Sequence, residues 1–82
     1  MYFVYILYSE NFDTYYKGYT TNIVKRVEQH NQNKSEYTSG KGPWELVYLK
    51  QYEDKKQVLI EEKRLKRLNR RSVEKLIQDS NE

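Results

Sequence analysis

The sequence predicts a small α+β domain, a three-stranded antiparallel sheet flanked by helices in the order β-β-α-β-α-α. Two runs of strand-forming residues at the N-terminus are separated by a short polar turn, which makes a hairpin. Further along, apolar residues recur at helical spacing behind capping residues. At 82 residues the chain fits one domain, residues 1–82, with no repeat and no linker.

Each element has its own local reason. Residues 2–9 are Tyr, Phe, Val, Ile and Leu with almost no polar break, as expected of a central strand covered on both faces. Glu10-Asn11-Phe12-Asp13 is turn-prone, and residues 14–20 read as the second strand. Gly18 inside that strand marks a bulge, or a place where another backbone or a ligand approaches closely. Thr21 or Asn22 is suited to cap a helix that ends near Asn31, with Ile23, Val24 and Val27 apolar. Arg26 and His30, four apart, share one face of it. Residues 32–43 are rich in Asn, Ser, Gly and Pro, and a loop of about 12 residues in so small a domain is often functional. Residues 44–52 form the third strand. Asp54 with Gln57 is a capping-box pattern that opens a helix over about 55–68, and Ser72 is placed to cap a short last helix.

Composition narrows the chemistry. With no cysteine, disulfides, thiolate metal sites and cysteine nucleophiles are excluded. One histidine leaves any metal to oxygen donors, which suits magnesium or manganese better than zinc. No apolar run approaches the ~18 residues of a membrane span. The first residues have neither a basic flank nor a cleavage site, so a cytoplasmic protein is expected. The net charge of +3 is unevenly spread. Residues 61–75 hold Lys63, Arg64, Lys66, Arg67, Arg70, Arg71 and Lys75 against Glu61, Glu62 and Glu74, a balance of +4, while the rest of the chain balances at −1. A polyphosphate partner needs such a footprint, although a solvated helix face would also produce it.

Residue chemistry leaves few options. Nothing pairs a serine with His30 as a hydrolase triad would, and Gly18, Gly40 and Gly42 do not have phosphate-loop spacing. In the second helix, with Val58 set at zero, Leu65 falls at about −20°, Glu62 at about +40° and Glu61 at about −60°. Both carboxylates therefore lie within the apolar arc, where each needs a partner or a cation. Periodicity does not choose between a site carboxylate and a rim carboxylate paired with Lys63 or Lys66.

The ordered set of motifs resembles the GIY-YIG nuclease domain, over residues 2 to about 70. It is closest to the small single-domain bacterial members. Phe3-Val4-Tyr5 stands for the first motif and Tyr16-Lys17-Gly18 for the second. Thr20-Thr21-Asn22, Lys25-Arg26, Gln29-His30-Asn31 and Tyr37-Thr38-Ser39-Gly40-Lys41-Gly42-Pro43 follow at family spacing. The resemblance implies an endonuclease that hydrolyses phosphodiester bonds in DNA with one Mg²⁺ or Mn²⁺. Glu62 is then the metal ligand. Of Tyr5 and Tyr16, one takes a proton from the attacking water and the other orients water or phosphate. A tyrosine of ordinary pKa ~10 does this near neutrality only beside a cation. Arg26 holds the phosphate and His30 adds a phosphate or water contact. Lys17, Lys25, Lys66, Arg67, Arg70 and Arg71 are the candidate nucleic-acid contacts. The chain departs from the family pattern at Phe3, Val4 and Lys17, and carries Tyr19 where some members have lysine. Asn69 is the candidate for a late asparagine that supports the site in many members. With no recognition domain in these residues, little sequence specificity is expected unless a protein partner supplies it.

Two other readings compete. One is a catalytically weak nucleic-acid-binding module that uses the basic 63–71 segment and exposed aromatics such as Tyr37 and Trp44. The other is a protein-interaction role for a tyrosine-rich surface.

Overall fold

The computed structural model describes residues 1–81. Strands β1 (Tyr2–Ser9), β2 (Thr14–Thr20) and β3 (Glu45–Tyr52) form one antiparallel sheet in the order β2-β1-β3. Helices α1 (Ile23–Asn31), α2 (Lys55–Lys66) and α3 (Arg70–Ser80) complete the predicted order.

β1 is central and its alternating side chains build two cores. Val4 and Ile6 join Tyr48 of β3, Val58 and Leu65 of α2 and Val73 of α3. Tyr5 and Leu7 point to the other face, where they meet Trp44, Tyr16 and the α1 residues Ile23 and Val27. Helices thus cover both faces. The continuous apolar run of β1 reflects that double coverage, since neither of its faces meets water.

Local chemistry sets the helix starts. Asn22 accepts from the Lys25 N–H and Asp54 from the Gln57 N–H, each satisfying one free donor of the first turn. Two expectations are corrected here. α3 is capped by Asn69, whose side chain accepts from the Ser72 N–H, so the helix starts before Ser72 and runs through Ser80. Val24, placed among the apolar α1 positions, is 74% exposed.

The long loop is tied down along its length. Trp44 N–H donates to Asn31 Oδ1 at 2.6 Å, and the Asn31 amide donates back to the Trp44 carbonyl at 3.2 Å. Ser9 Oγ donates to the Lys41 carbonyl at 2.5 Å, and the indole of Trp44 donates to the Thr38 carbonyl at 3.2 Å. Trp44 is only 4% exposed, so it is a core residue and not the surface aromatic expected from the sequence. At the hairpin turn, Asp13 adopts φ 49° and accepts from Tyr8 and Arg70, at 2.7 and 2.5 Å. This clasps the turn to α3.

Candidate active site

Tyr5 pairs with Gly18 across the hairpin. A Cβ at residue 18 would come within 2.7 Å of the Tyr5 hydroxyl oxygen. The bare glycine therefore lets the Tyr5 ring pass beside β2; the close neighbour is this side chain, not the backbone, ligand or bulge expected from the sequence. Beyond that point the hydroxyl meets two α1 residues. Arg26 Nε donates to it at 3.2 Å, and His30 Nε2 lies 2.9 Å away. The shared helix face of Arg26 and His30 is thus the face turned to Tyr5.

The hydrogen bonds run in one direction. Arg26 has no acceptor, so Tyr5 Oη accepts from it. Tyr5 is fully buried and its own proton has His30 Nε2 as its acceptor. Nε2 is therefore the bare nitrogen, and His30 Nδ1–H donates to Thr38 Oγ1 at 2.7 Å. Thr38 passes its proton to the Ser35 carbonyl at 3.4 Å. His30 and Thr38 are also fully buried. This chain satisfies every buried polar atom in the cluster.

Burial dominates the electrostatics. It pushes the Tyr5 phenol up to about 12, against a smaller downward pull from Arg26. Burial and then the Arg26 charge pull His30 down to about 4, so the ring is neutral at pH 7. For Arg26, burial acts downward, but its bond to Tyr5 and the charges of Tyr5 and Tyr16 hold the guanidinium above its usual value. Tyr16 completes the cluster, with its ring centroid 4.8 Å from His30, 6.3 Å from Tyr5 and 5.6 Å from Tyr37.

The two carboxylates of α2 separate into different roles. Glu61 accepts from Tyr52 at 3.0 Å and from Arg64 through two bonds. Those partners, Arg64 first, hold its carboxyl below the usual range. Glu62 lies 3.7 Å from Lys66 Nζ, and its charge is one of those that raise the Tyr5 phenol. Glu62 thus lies within reach of the tyrosine cluster's charges and beside Lys66 of the cleft, while Glu61 fastens α2 to β3.

Lys17 and Lys66 join Tyr15, Tyr16 and Tyr37 in lining an open cleft at the free edge of β2. Lys17 Nζ donates to the Leu68 carbonyl at 3.4 Å, and burial lowers its pKa. Lys25, Arg67 and Arg71 are exposed. Arg70 is held by Asp13 and by Glu74 at 3.2 Å. An apolar hollow lined by Ile23, Val24, Val27 and Leu46 contains none of the cluster residues.

Reading the sequence alone misses two contributors. Thr38 fixes His30, and Gln29 accepts from Arg26 Nη1 at 3.2 Å. The loop motif around Thr38 was the available signal for the first.

Among the described residues, no three His, Cys, Asp or Glu side chains converge. Glu62 is the carboxylate beside the cluster that no arginine holds, and both ring nitrogens of His30 are engaged. A single hard oxygen donor fits a weakly held magnesium or manganese ion that also takes water and phosphate oxygens.

The sheet edge thus sets an arginine and one carboxylate beside two tyrosines, a charge arrangement compatible with a phosphate group. Comparison with known proteins agrees. The GIY-YIG catalytic domain matches residues 1–76. A UPF0213 protein of Oceanobacillus iheyensis is 39% identical over 93% of this chain and 88% of its own length. One from Natronomonas pharaonis is 36% identical over 94% of this chain and 91% of its own. The solution NMR structure of a UPF0213 protein from Bacillus halodurans superposes with a TM-score of 0.61 at 35% identity, covering 95% of this chain and 84% of that one. The chain belongs to the GIY-YIG family, whose domain is a nuclease domain that acts on nucleic acid and generally uses divalent metal ions.

Proposed function

We propose that this protein is a divalent-metal-dependent endonuclease that hydrolyses phosphodiester bonds in DNA. The observation that carries the reading is the convergence of Arg26, Tyr5, His30 and Tyr16 beside β2, with Glu62 paired to Lys66 of the adjoining cleft. Glu62 would hold Mg²⁺ or Mn²⁺, which supplies Lewis-acid stabilisation of the phosphate and the leaving oxygen.

Arg26 presents the rest of its fork to a phosphate oxygen. Two of its five N–H groups are committed, to Tyr5 and Gln29, which aim the guanidinium without using it up. Tyr5 and His30 are fully buried, so they act through Arg26 as positioning residues. Tyr16 is partly exposed in the cleft and is the tyrosine placed to meet the attacking water. As the water oxygen bonds to phosphorus and the bond to the leaving oxygen breaks, Tyr16 would orient the water by accepting a hydrogen bond from it, and the water's proton would leave to solvent in the open cleft. Arg26 stabilises the charge that develops on the phosphate. Lys17, Lys25, Lys66, Arg67 and Arg71 supply the electrostatic hold on the strand. Arg70 belongs to the same basic segment, but its guanidinium is engaged at the hairpin turn.

Labelled single-stranded, duplex and flapped DNA, incubated with Mg²⁺ or Mn²⁺, test this reading. Wild type should cut, while folded Glu62→Gln and Arg26→Ala should not. Cleavage that survives Glu62→Gln would remove Glu62 as the metal ligand. Binding without cleavage on every substrate would replace the enzyme with a binding module built on Lys63, Lys66, Arg67 and Arg71.

A further inference from the structure

Tyr37 is 59% exposed, yet it stands on the most tightly held part of the loop. Its neighbour Thr38 is fully buried and bonded to His30, and the Thr38 carbonyl accepts from the Trp44 indole. The backbone that carries the Tyr37 ring is therefore anchored on its C-terminal side. It packs against Tyr16 at 5.6 Å between centroids, with Lys41 Nζ 4.3 Å from its own centroid. Lys17 and Lys66 lie along the same cleft.

We infer that Tyr37 is a stacking platform for one unpaired base of the strand being cut, which makes single-stranded DNA or a frayed strand the preferred substrate class. The inference rests on the nuclease reading and deepens it. A solvent-facing aromatic packs against Tyr16, the tyrosine placed to meet the attacking water. Only a base that has left its pair offers a face to that ring, because bases inside a duplex are covered by their neighbours. The lysines around the ring match the charge of the backbone that would accompany the base. Lys41 does not block the platform. An exposed cation–π contact is worth less than base stacking, and the flexible lysine is free to move onto a phosphate.

The test uses binding in the Glu62→Gln background, so that DNA is not consumed. The probes are a short single strand carrying one 2-aminopurine and the duplex made from it. Adding Tyr37→Ala should weaken single-strand binding about tenfold, equivalent to about 1.4 kcal/mol, and leave duplex binding within about twofold. Quenching of 2-aminopurine should disappear in Tyr37→Ala and persist in Tyr37→Phe. Equal weakening on both substrates, or none on the single strand, would overturn the platform. If wild type also cuts, only this inference falls. If wild type neither cuts nor binds either probe, the nuclease reading fails and takes the platform with it.

Discussion

Thr38 Oγ1 sits 2.7 Å from His30 Nδ1, and this contact decides which His30 nitrogen faces Tyr5. With Nδ1 protonated and bonded to Thr38, Nε2 accepts from Tyr5, whose oxygen in turn anchors Arg26. Thr38→Val leaves a buried N–H without a partner, an expected cost of ~1–3 kcal/mol in stability. It should also flip the ring tautomer and lower cleavage by about tenfold or more through misdirected Arg26. Imidazole ¹⁵N shifts of His30 read the tautomer directly, and Thr38→Ser should restore shifts and rate together. Unchanged shifts in Thr38→Val would remove Thr38 from the chain.

Gly18→Ala forces an atom to within 2.7 Å of the Tyr5 hydroxyl. The ring must shift and loosen its bonds to Arg26 and His30. Overpacking of this kind typically costs ~1–3 kcal/mol. An ångström of misplacement at a reacting group costs up to ~100-fold in rate, so cleavage should fall further than stability predicts. Thermal melts paired with initial rates separate the two effects.

Glu61 and Glu62, adjacent in sequence, should respond oppositely to the same change. Glu61→Gln weakens the charged bonds to Arg64 and Tyr52 and should lower the melting temperature, with activity per folded molecule largely kept. Glu62→Gln should leave the melting temperature nearly unchanged and abolish metal-dependent cleavage. A large melting shift in Glu62→Gln alone would reverse the assignment.

His30 makes stability depend on pH. Its folded-state pKa, about 4, lies below the unfolded value of 6.5, so the unfolded chain binds the extra proton between those values. Stability is then fully present above about pH 6.5 and is lost as pH falls toward 4, by up to ~3 kcal/mol. Glu61 and Asp13, both held below their usual values of 4.5 and 3.8, add further destabilisation as pH falls through those values, so the Glu61 loss overlaps the lower end of the His30 window. Melting curves of wild type and His30→Gln should converge as pH falls through this window. Parallel curves would show that His30 does not carry the effect.

The basic segment divides by what each side chain already holds. Removing Arg67 or Arg71 should reduce the salt slope of DNA binding by about one for each phosphate that is no longer neutralised. Arg70→Ala should lower the melting temperature instead, since Arg70 joins Asp13 to Glu74. Binding titrations at several salt concentrations distinguish the two behaviours.

Sequence patterns were sufficient where one local rule decides the outcome. β1 reads as central because both of its faces are apolar, and Asn22 and Asp54 cap as their spacing requires. They were insufficient where a tertiary neighbour decides. Glu61 and Glu62 both lie in the apolar arc of α2, and only Tyr52 and Arg64 show which one is structural. Trp44 follows a Pro-Gly-rich loop yet is buried, because its indole meets the Thr38 carbonyl. Thr38 looks like any loop threonine until His30 is placed against it. The shared helix face of Arg26 and His30 was legible from their spacing, but their convergence on Tyr5 and the direction of the hydrogen bonds were not.

The carboxylate and the tyrosine cluster come from opposite sides of the sheet. Glu62 rides on α2 over the Val4–Ile6 core, whereas Tyr5, Tyr16 and His30 belong to the layer beneath α1. They meet only around the edge of β2. Neither half of the protein, docked alone, assembles the full set. Any hydrolytic power therefore arises late, when both layers have closed on β1, and vanishes as soon as either lifts away. A nascent or partly unravelled chain would be harmless to the nucleic acid around it, a safeguard that follows from topology and needs no inhibitor.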